Sequence, residues 1–191
     1  MTNIEVHENV LSEEHWKHLY DFISNEWFSW TYQLGTSHND ETGKYDREGD
    51  TPQLVRNLFH REAISNKTKF PAGFNQSMQM HEYFEVLPQI TMIPQKIIPN
   101  SNPWRIKVNL LQPHPDAGEH HPWHIDSTES YISMVYYVND SDGDTFLNKV
   151  ETQRITPKAN TAVIFPSNLW HASSNPTKGR RIVLNYMVEM T

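Results

Sequence analysis

Apolar positions in the first part of the chain repeat with the period of an α-helix. A short extended stretch over residues 4–11 leads to Ser12, a typical N-cap. Glu13 and Glu14 follow in the first turn, where the helix dipole favours acidic side chains. Four apolar residues then recur at the i, i+3, i+4, i+7 spacing of one buried face: Trp16, Leu19, Tyr20 and Ile23. The pattern predicts an amphipathic helix from about residue 13.

A second helix is predicted over about residues 76–87. The same spacing recurs at four apolar residues: Met80, Tyr83, Phe84 and Leu87. Pro88 is expected to stop this helix, because proline lacks the backbone N–H that helix bonding needs. Between the two helices, residues 35–50 are polar and rich in turn formers, which indicates a surface loop near a site.

From residue 104 onward the pattern changes to short apolar runs separated by turn residues. Five strands are predicted, over residues 104–111, 131–139, 145–148, 161–166 and 181–188. Helices followed by closely spaced strands predict an antiparallel β core with the helices packed on one side. No repeat or linker interrupts the chain, so we expect one domain over residues 1–191. Residues 1–103 would supply helical support and the pocket mouth, and residues 104–191 the β core.

Composition restricts the chemistry that this core can perform. The chain has 191 residues, enough for one self-sufficient core, and no cysteine, which excludes disulfides, thiolate metal sites and cysteine nucleophiles. A bound metal therefore needs histidine and carboxylate ligands, and 11 histidines are available. No apolar run is long enough to span a membrane, and the first residues lack the features of a signal peptide, so a cytoplasmic location is expected.

The net charge of -7 is concentrated near the start of the chain, where residues 1–50 carry 11 acidic and 3 basic side chains. A protein that binds the phosphate backbone needs clustered lysine and arginine, so nucleic acid is not the expected partner. One local basic patch stays open as an alternative, at Arg56, Arg61, Lys67 and Lys69.

The candidate metal ligands are two histidines and one aspartate. His124 and Asp126 stand just ahead of the predicted strand over residues 131–139. In extended backbone, residues i and i+2 project to the same face, so this imidazole and carboxylate can bind one ion. His171 follows 47 residues after His124, at the end of a predicted strand, and supplies a third ligand. Two histidines and one carboxylate form the facial triad of non-haem Fe(II).

The His-x-Asp pattern occurs three times, so its context has to decide. The pair His38 and Asp40 lies in the polar loop, and the pair His114 and Asp116 lies in a turn flanked by prolines. Neither has a strand to fix its side chains. Only the third pair precedes a long β run, and the metal site is therefore assigned there.

A cation is expected beside this site. Arg181 opens the last predicted strand, ten residues after His171, and is expected to project into the same cavity, whereas Arg180 points to the opposite face. A guanidinium in that cavity can bind a carboxylate through two parallel hydrogen bonds.

Together these residues resemble the 2-oxoglutarate- and Fe(II)-dependent dioxygenases, especially their prolyl-hydroxylase-like branch. The resemblance covers about residues 104–190. It rests on ordered motifs: His124-x-Asp126, the run Tyr137-Val138-Asn139, residues 143–146 before an apolar strand, residues 157–160 followed by the strand 162–166, His171, and Gly179-x-Arg181.

The resemblance implies a mostly β fold, a double-stranded β-helix or cupin-like jelly roll, with the N-terminal helices packed on the major sheet. It implies that Fe(II) is ligated by His124, Asp126 and His171, with 2-oxoglutarate as cosubstrate and O₂ as oxidant. Arg181 would pair with the C5 carboxylate of 2-oxoglutarate. Tyr137 would share that carboxylate, and Ser133 would line the same pocket.

Further positions match the family more loosely. Thr145 and Val183 correspond to cavity-wall positions, and Gln112 stands where a tyrosine usually contacts the C1 end of the cosubstrate. Three histidines of unassigned role are expected at the rim: His114, His120 and His121. Three aromatic residues suit a water-poor site: Trp123, Tyr131 and Trp170.

The implied activity is hydroxylation of an unactivated C–H bond in an amino-acid, peptidyl or small-metabolite substrate, with release of succinate and CO₂. Two alternatives remain: a non-catalytic jelly-roll module that binds a metal or ligand, and a dioxygenase that acts on nucleic acid. Arg181 argues against the first, and the acidic charge balance argues against the second. The sequence identifies neither the substrate nor the oligomeric state.

Overall fold

The computed structural model describes residues 4–37, 48–61 and 87–190. The elements in this part of the chain are β1 (Glu5–Glu8), α1 (Glu13–Ser24), β2 (Thr31–Gln33), β3 (Gln53–His60), α2 (Leu87–Ile97), β4 (Ser101–Leu111), β5 (Ile132–Tyr137), β6 (Thr145–Leu147), β7 (Gln153–Ile155), β8 (Thr161–Pro166), β9 (His171–Ser173) and β10 (Arg181–Met190).

The strands form two antiparallel sheets. The major sheet has the order β1-β8-β5-β10-β4-β3-β2, and the minor sheet has the order β7-β6-β9. This confirms the predicted jelly roll, because strands that are distant in sequence, such as β4 and β10, are neighbours in the major sheet. All five predicted strands are present, and β4 begins at Ser101, three residues before its predicted start.

The two faces of the major sheet have different roles. On one face, side chains at even positions of β4 and β10 pack against the helices, with Leu19 of α1 and Ile93 of α2 fully buried among them. On the other face, odd positions of β4 such as Arg105 and Asn109 line a cavity. The period of two along each strand therefore separates a dry apolar layer from a polar pocket. The prediction that the helices pack on the major sheet is confirmed.

Helix α1 follows its predicted pattern closely. The side chain of Ser12 accepts a hydrogen bond from the backbone N–H of His15, which satisfies one of the first free donors of the helix. Its apolar face buries Leu19 and Ile23, as the spacing predicts.

The second predicted helix lies outside the described residues apart from Leu87, and the stop assigned to Pro88 is wrong. Helix α2 begins at Leu87 and runs through Pro88 to Ile97. Proline is tolerated in a first turn, where its missing N–H would have no helical partner in any case. Pro94 lies inside the helix and cannot donate to the carbonyl of Ile90. The buried hydroxyl of Tyr186 donates to that carbonyl instead, at 2.9 Å.

Sequence reasoning missed two strands of the major sheet, β2 and β3. Strand β3 pairs with β4 over most of its length, with a bulge between Asn57 and Phe59. Its cavity-facing residues include Gln53 and Asn57, which are polar. Val55 lies on the cavity face, Arg56 lies on the apolar face, and the bulge shifts the pattern after Asn57, so the sequence lacks the regular apolar alternation of a half-buried strand.

Only the ends of the predicted loop over residues 35–50 are described. The carboxylate of Asp50 accepts hydrogen bonds from the backbone N–H and the hydroxyl of Thr36, which joins the two ends. No helix in the described part of the chain is long and apolar enough to cross a membrane. The assignment of residues 1–191 to one domain stays a prediction.

The bond between Tyr186 and Ile90 gives a test of this packing. Tyr186→Phe leaves a buried carbonyl without a donor and should lower the free energy of unfolding by about 1–3 kcal/mol. Urea denaturation measures the change. In a Pro94→Ala background the helix can supply its own donor, so the same Tyr186→Phe change should cost clearly less. Equal costs in the two backgrounds would contradict the compensation.

Candidate metal centre

Two histidines that are far apart in sequence are held together by their backbones. His124 donates its N–H to the carbonyl of His171 at 3.0 Å, and His171 donates to the carbonyl of His124 at 2.9 Å. This isolated antiparallel bridge places the imidazoles side by side, with ring centroids 4.3 Å apart. The sequence placed His171 at the end of a strand, but β8 ends at Pro166 and His171 opens β9 of the minor sheet.

Asp126, two residues after His124, lies beside the two imidazoles. Its backbone N–H donates to the carbonyl of Ser167 at 2.9 Å. One carboxylate oxygen, Oδ2, lies 3.6 Å from Nε2 of His171 and accepts a hydrogen bond from Ser133 at 2.6 Å. One ligand atom from each of His124, Asp126 and His171 lies within 4.8 Å of the others, so the structure brings the three sequence-predicted ligands together.

Both imidazoles are oriented by a backbone carbonyl two residues earlier. Nδ1 of His124 lies 3.2 Å from the carbonyl oxygen of Pro122, and Nδ1 of His171 lies 2.9 Å from that of Leu169. An Nδ1–H that donates to a carbonyl leaves Nε2 with its lone pair, the usual arrangement behind a metal-bound histidine. The repetition of this contact at both rings indicates two prepared nitrogen ligands.

The protonation states also suit a cation. Burial, with the neighbouring His171, lowers the pKa of His124 to about 4, so its imidazole is neutral at pH 7. Burial alone would raise the pKa of Asp126. The Arg105 guanidinium, the two histidines and the Ser133 hydrogen bond outweigh burial and lower the pKa, so the group is a carboxylate. Two imidazoles and one carboxylate are the donor set expected for non-haem Fe(II).

The three ligands open into a cavity of about 570 Å³. Its walls come from the major sheet, from β9 and from the segment after β2, and polar side chains dominate them: Gln33, Gln53, Asn57, Arg105, Lys107, Asn109, Thr145, Arg181 and Asn185. None of the three aromatic residues expected around the site lines this cavity, and Trp170 is 46% exposed. The expectation that these three aromatic residues surround the site is therefore wrong.

Arg181 lies in the cavity wall, as expected from the sequence. It is buried, donates from Nε to the carbonyl of Gly143 at 2.9 Å, and donates from one terminal nitrogen, Nη2, to the hydroxyl of Thr145 at 2.8 Å. Its other terminal nitrogen, Nη1, has no hydrogen bond to the residues that the structure describes. A side chain at Gly143 would place Cβ 2.7 Å from the carbonyl oxygen of Ser174, so this close approach requires glycine.

The roles expected of Tyr137 and Ser133 look different in the structure. Neither is among the cavity-lining residues. The Tyr137 hydroxyl donates to Thr145 at 2.8 Å, and Ser133 donates to Asp126. Thr145 accepts from both Tyr137 and Arg181, so its own hydroxyl proton is free to donate into the cavity. Sequence reasoning treated Thr145 as wall only and missed this connection. Val183 is buried in the smaller apolar cluster.

Strand β4 supplies cavity residues that sequence reasoning missed. Arg105 donates to Asp126 Oδ1 at 2.8 Å, and Lys107 lines the same cavity. Burial, together with the neighbouring Arg105, lowers the pKa of Lys107 to about 8, against a raising effect of Asp126. Cavity-facing positions of β4 are the odd ones, so Leu111 faces the cavity and Gln112 is exposed. The odd-numbered polar residues in the predicted strand over 104–111 were the available signal.

The comparisons with known proteins agree with this geometry. Residues 108–189 match the family model of the 2OG-Fe(II) oxygenase superfamily. This match covers 82 of the 191 residues, and this part of the chain is similar to members of the superfamily. A search of curated proteins finds no match to the sequence.

Solved structures of oxygenases share the fold of this chain. A Pseudomonas putida prolyl-4-hydroxylase is 14% identical, with a TM-score of 0.56, and the alignment covers 98% of this chain and 92% of that one. The epimerase SnoN, solved with Fe³⁺, alpha ketoglutarate and nogalamycin RO, is 10% identical, with a TM-score of 0.58. The alignment covers 99% of this chain and 79% of SnoN. A Trichoplax adhaerens prolyl hydroxylase in complex with a hypoxia inducible factor peptide fragment is 12% identical, with a TM-score of 0.57, covering 97% and 82%.

The structure also has a buried histidine that is separate from the triad. His121 was expected at the rim, but it is 1% exposed and contacts Thr51, Ser173 and Asn175 at 2.8–3.0 Å. The expectation is wrong because these partners replace water around the ring. Of the other two rim candidates, His120 contacts the carbonyl of His121 through Nδ1, and His114 accepts a bond from the N–H of Asp116.

Burial lowers the pKa of His121 to about 4, below the unfolded value of about 6.5. The neutral ring is therefore favoured in the folded state, and this stabilisation is present above pH 6.5 and lost as the pH falls toward 4. Between pH 4 and pH 6.5, the free energy of unfolding of the wild type should rise with pH. In His121→Gln this slope should be smaller, by up to about 1.4 kcal/mol per pH unit. Urea denaturation at several pH values measures the slopes. His114→Gln should keep the wild-type slope, and a wild-type slope in His121→Gln would contradict the neutral buried ring.

Proposed function

We propose that this protein is a hydroxylase in which His124, Asp126 and His171 hold Fe(II) and Arg181 binds the C5 carboxylate of 2-oxoglutarate. The observation that carries the proposal is the presence of three oriented metal ligands and one buried guanidinium in the wall of the same cavity. The substrate is an amino acid, a peptidyl residue or a small metabolite with an unactivated C–H bond. Each turnover consumes 2-oxoglutarate and O₂ and releases succinate, CO₂ and the hydroxylated product.

The chain's own residues supply binding and orientation. Asp126 provides the anionic ligand, and its direction is fixed by Ser133 on one oxygen and Arg105 on the other. We therefore assign Ser133 to the positioning of Asp126. The bound iron supplies the activation of O₂ that an unactivated C–H bond requires. Three protein ligands leave coordination positions open for the cosubstrate and O₂.

The cosubstrate end of the cavity is built around Arg181. Nη1 of this residue and the hydroxyl proton of Thr145 are the two donors left for a carboxylate. Tyr137 acts through Thr145, because its hydroxyl ends on that residue. Burial of a cation is costly, Asp144 nearby offsets part of that cost, and the cosubstrate carboxylate would offset more of it.

A non-catalytic metal-binding module is the second candidate. It would have no need for a buried guanidinium aimed into the metal cavity, and this argues for the oxygenase. Small-molecule and peptide ligands both occur among the structural neighbours, in SnoN and in the Trichoplax adhaerens enzyme, so both classes belong in a substrate screen. The cytoplasmic location, the single domain and the absence of a nucleic-acid partner stay predictions from the sequence.

The metal assignment is tested by binding. Asp126→Ala and His171→Ala should each weaken Fe(II) binding by at least about tenfold, because a lost ligand also removes the geometry around the ion. Anaerobic calorimetry measures the affinity. His114→Ala is the matched control from another His-x-Asp pair and should bind Fe(II) like the wild type. Undiminished affinity in both triad variants would refute the assignment.

The cosubstrate assignment is tested by kinetics. Truncating one partner of a buried charge pair typically costs about 2–5 kcal/mol, so Arg181→Ala should raise the KM for 2-oxoglutarate by at least about tenfold. Succinate release, followed by NMR against 2-oxoglutarate concentration, measures it, since slow turnover without the prime substrate is expected. Arg180→Ala is the control, because Arg180 lies outside the cavity wall. Similar curves for the wild type, Arg181→Ala and Arg180→Ala would contradict the assignment of Arg181 to 2-oxoglutarate binding.

A further inference from the structure

Strand β4 brings two cations into the cavity in addition to Arg181. Arg105 and Lys107 are two residues apart in extended backbone, and both side chains line the cavity. Asp126 is the one carboxylate among the cavity-lining residues that the structure describes. Charged groups in a cavity wall cost free energy unless a ligand or partner compensates them. Two such cations therefore require an explanation.

The two cations differ in their partners. One terminal nitrogen of Arg105 donates a hydrogen bond to Asp126, while its buried Nε has no hydrogen-bond partner among the described residues. The side chain of Lys107 forms neither a hydrogen bond nor an ion pair with the residues that the structure describes, although the residue is half-buried. Its ammonium is the cation that is left for a ligand.

The sheet places amide groups on both sides of Lys107. In the register of the major sheet, Lys107 lies opposite Asn57 of β3 and opposite Asn185 of β10, and all three side chains line the cavity. The side chain of Asn57 has no hydrogen bond to the described residues. Lys107 and Asn57 thus form a pair of adjacent free donors on one wall.

The neighbouring amides are fixed and complete a rigid polar frame. Asn185 donates to Asn109 at 2.7 Å, Asn109 donates to Gln53 at 2.6 Å, and this chain of bonds crosses three strands. Gln53 in turn donates to the carbonyl of Gly35 at 2.8 Å. A few convergent polar groups on a rigid scaffold are typical of a site that orients a ligand.

Charge balance points to the chemistry of that ligand. In the proposed function, Fe(II), Asp126, the 2-oxoglutarate dianion and Arg181 together are neutral. Asp126 is already part of this neutral set, so Arg105 and Lys107 add two positive charges with no further counter-charge among the described cavity residues, although Arg105 keeps its hydrogen bond to Asp126. An ammonium next to an amide donor, with a second cation beside it, suits an anionic group with two acceptor oxygens, such as a carboxylate.

We propose that Lys107 and Asn57 form a subsite that binds a carboxylate of the prime substrate, with Arg105 adding positive charge beside it. This inference rests on the proposed function and narrows it to substrates that carry a carboxylate near the reacting C–H bond. The rest of the substrate extends along the polar wall formed by β3 and β4 toward the residues after β2.

The experiment measures binding without turnover. Protein loaded with Zn(II) and saturated with 2-oxoglutarate, both checked by calorimetry, is titrated with L-amino acids and N-acetyl-L-amino acids, each paired with its carboxamide. At least one acid should bind at least about tenfold more tightly than its amide. Lys107→Met should abolish this preference and Lys107→Arg should retain part of it. Both variants should bind Zn(II) and 2-oxoglutarate like the wild type.

Lys158→Met is the matched control, because Lys158 is an exposed lysine that pairs with Glu8 away from the cavity. It should keep the wild-type preference. Failure of the wild type to bind 2-oxoglutarate would overturn the proposed function and the subsite together. The subsite alone would be overturned if 2-oxoglutarate binds normally but the wild type shows no preference for acids over amides, or shows one that Lys107→Met retains. Weaker 2-oxoglutarate binding in Lys107→Met, or tighter binding of inorganic phosphate than of every acid, would also overturn it.

Discussion

The reciprocal backbone hydrogen bonds between His124 and His171 are the constraint on which the site depends. They join the loop that follows β4 to the first residue of β9, and β9 pairs with β6. In that register Leu147 lies opposite His171 and Thr145 lies opposite Ser173. The same short sheet therefore fixes one metal ligand and also Thr145, the hydroxyl that contacts Arg181. A shift of one residue would turn both side chains away, since alternate residues face opposite sides.

The major sheet makes a polar cavity compatible with a stable fold. Its helix-facing side buries a continuous apolar cluster that includes Ile106, Leu184 and Tyr186, and this burial is the dominant favourable contribution to folding. Because the apolar core lies on that side, the other side can carry Arg105, Lys107 and a chain of amides. The amides are held by one another, as in the bond from Asn185 to Asn109, and Arg105 is held by Asp126.

Prediction from the sequence worked where a residue's role follows from local spacing. The His-x-Asp pair, the distal His171 and Arg181 were all identified, and the structure brings all four into one cavity wall. It failed where the environment is made by other strands. Strand β3 was missed because Val55, Arg56 and the bulge after Asn57 break its alternation. The cations of β4 share one side of the strand by their spacing, but only the tertiary structure shows that this side faces the metal ligands.

The sequence by itself determined the ligand chemistry: without cysteine, a metal here needs histidine and carboxylate, and extended spacing places His124 and Asp126 on one face. It also determined the amphipathic face of α1 and five of the strands, namely β4, β5, β6, β8 and β10. Only the tertiary structure decided that Ser133 and Arg105 hold Asp126 and that Thr145 links Tyr137 to Arg181. It also decided that the Lys107 side chain has no hydrogen-bond or ion-pair partner among the described residues. These contacts join residues from separate elements, and their geometry is set by strand register and packing, which local spacing does not contain.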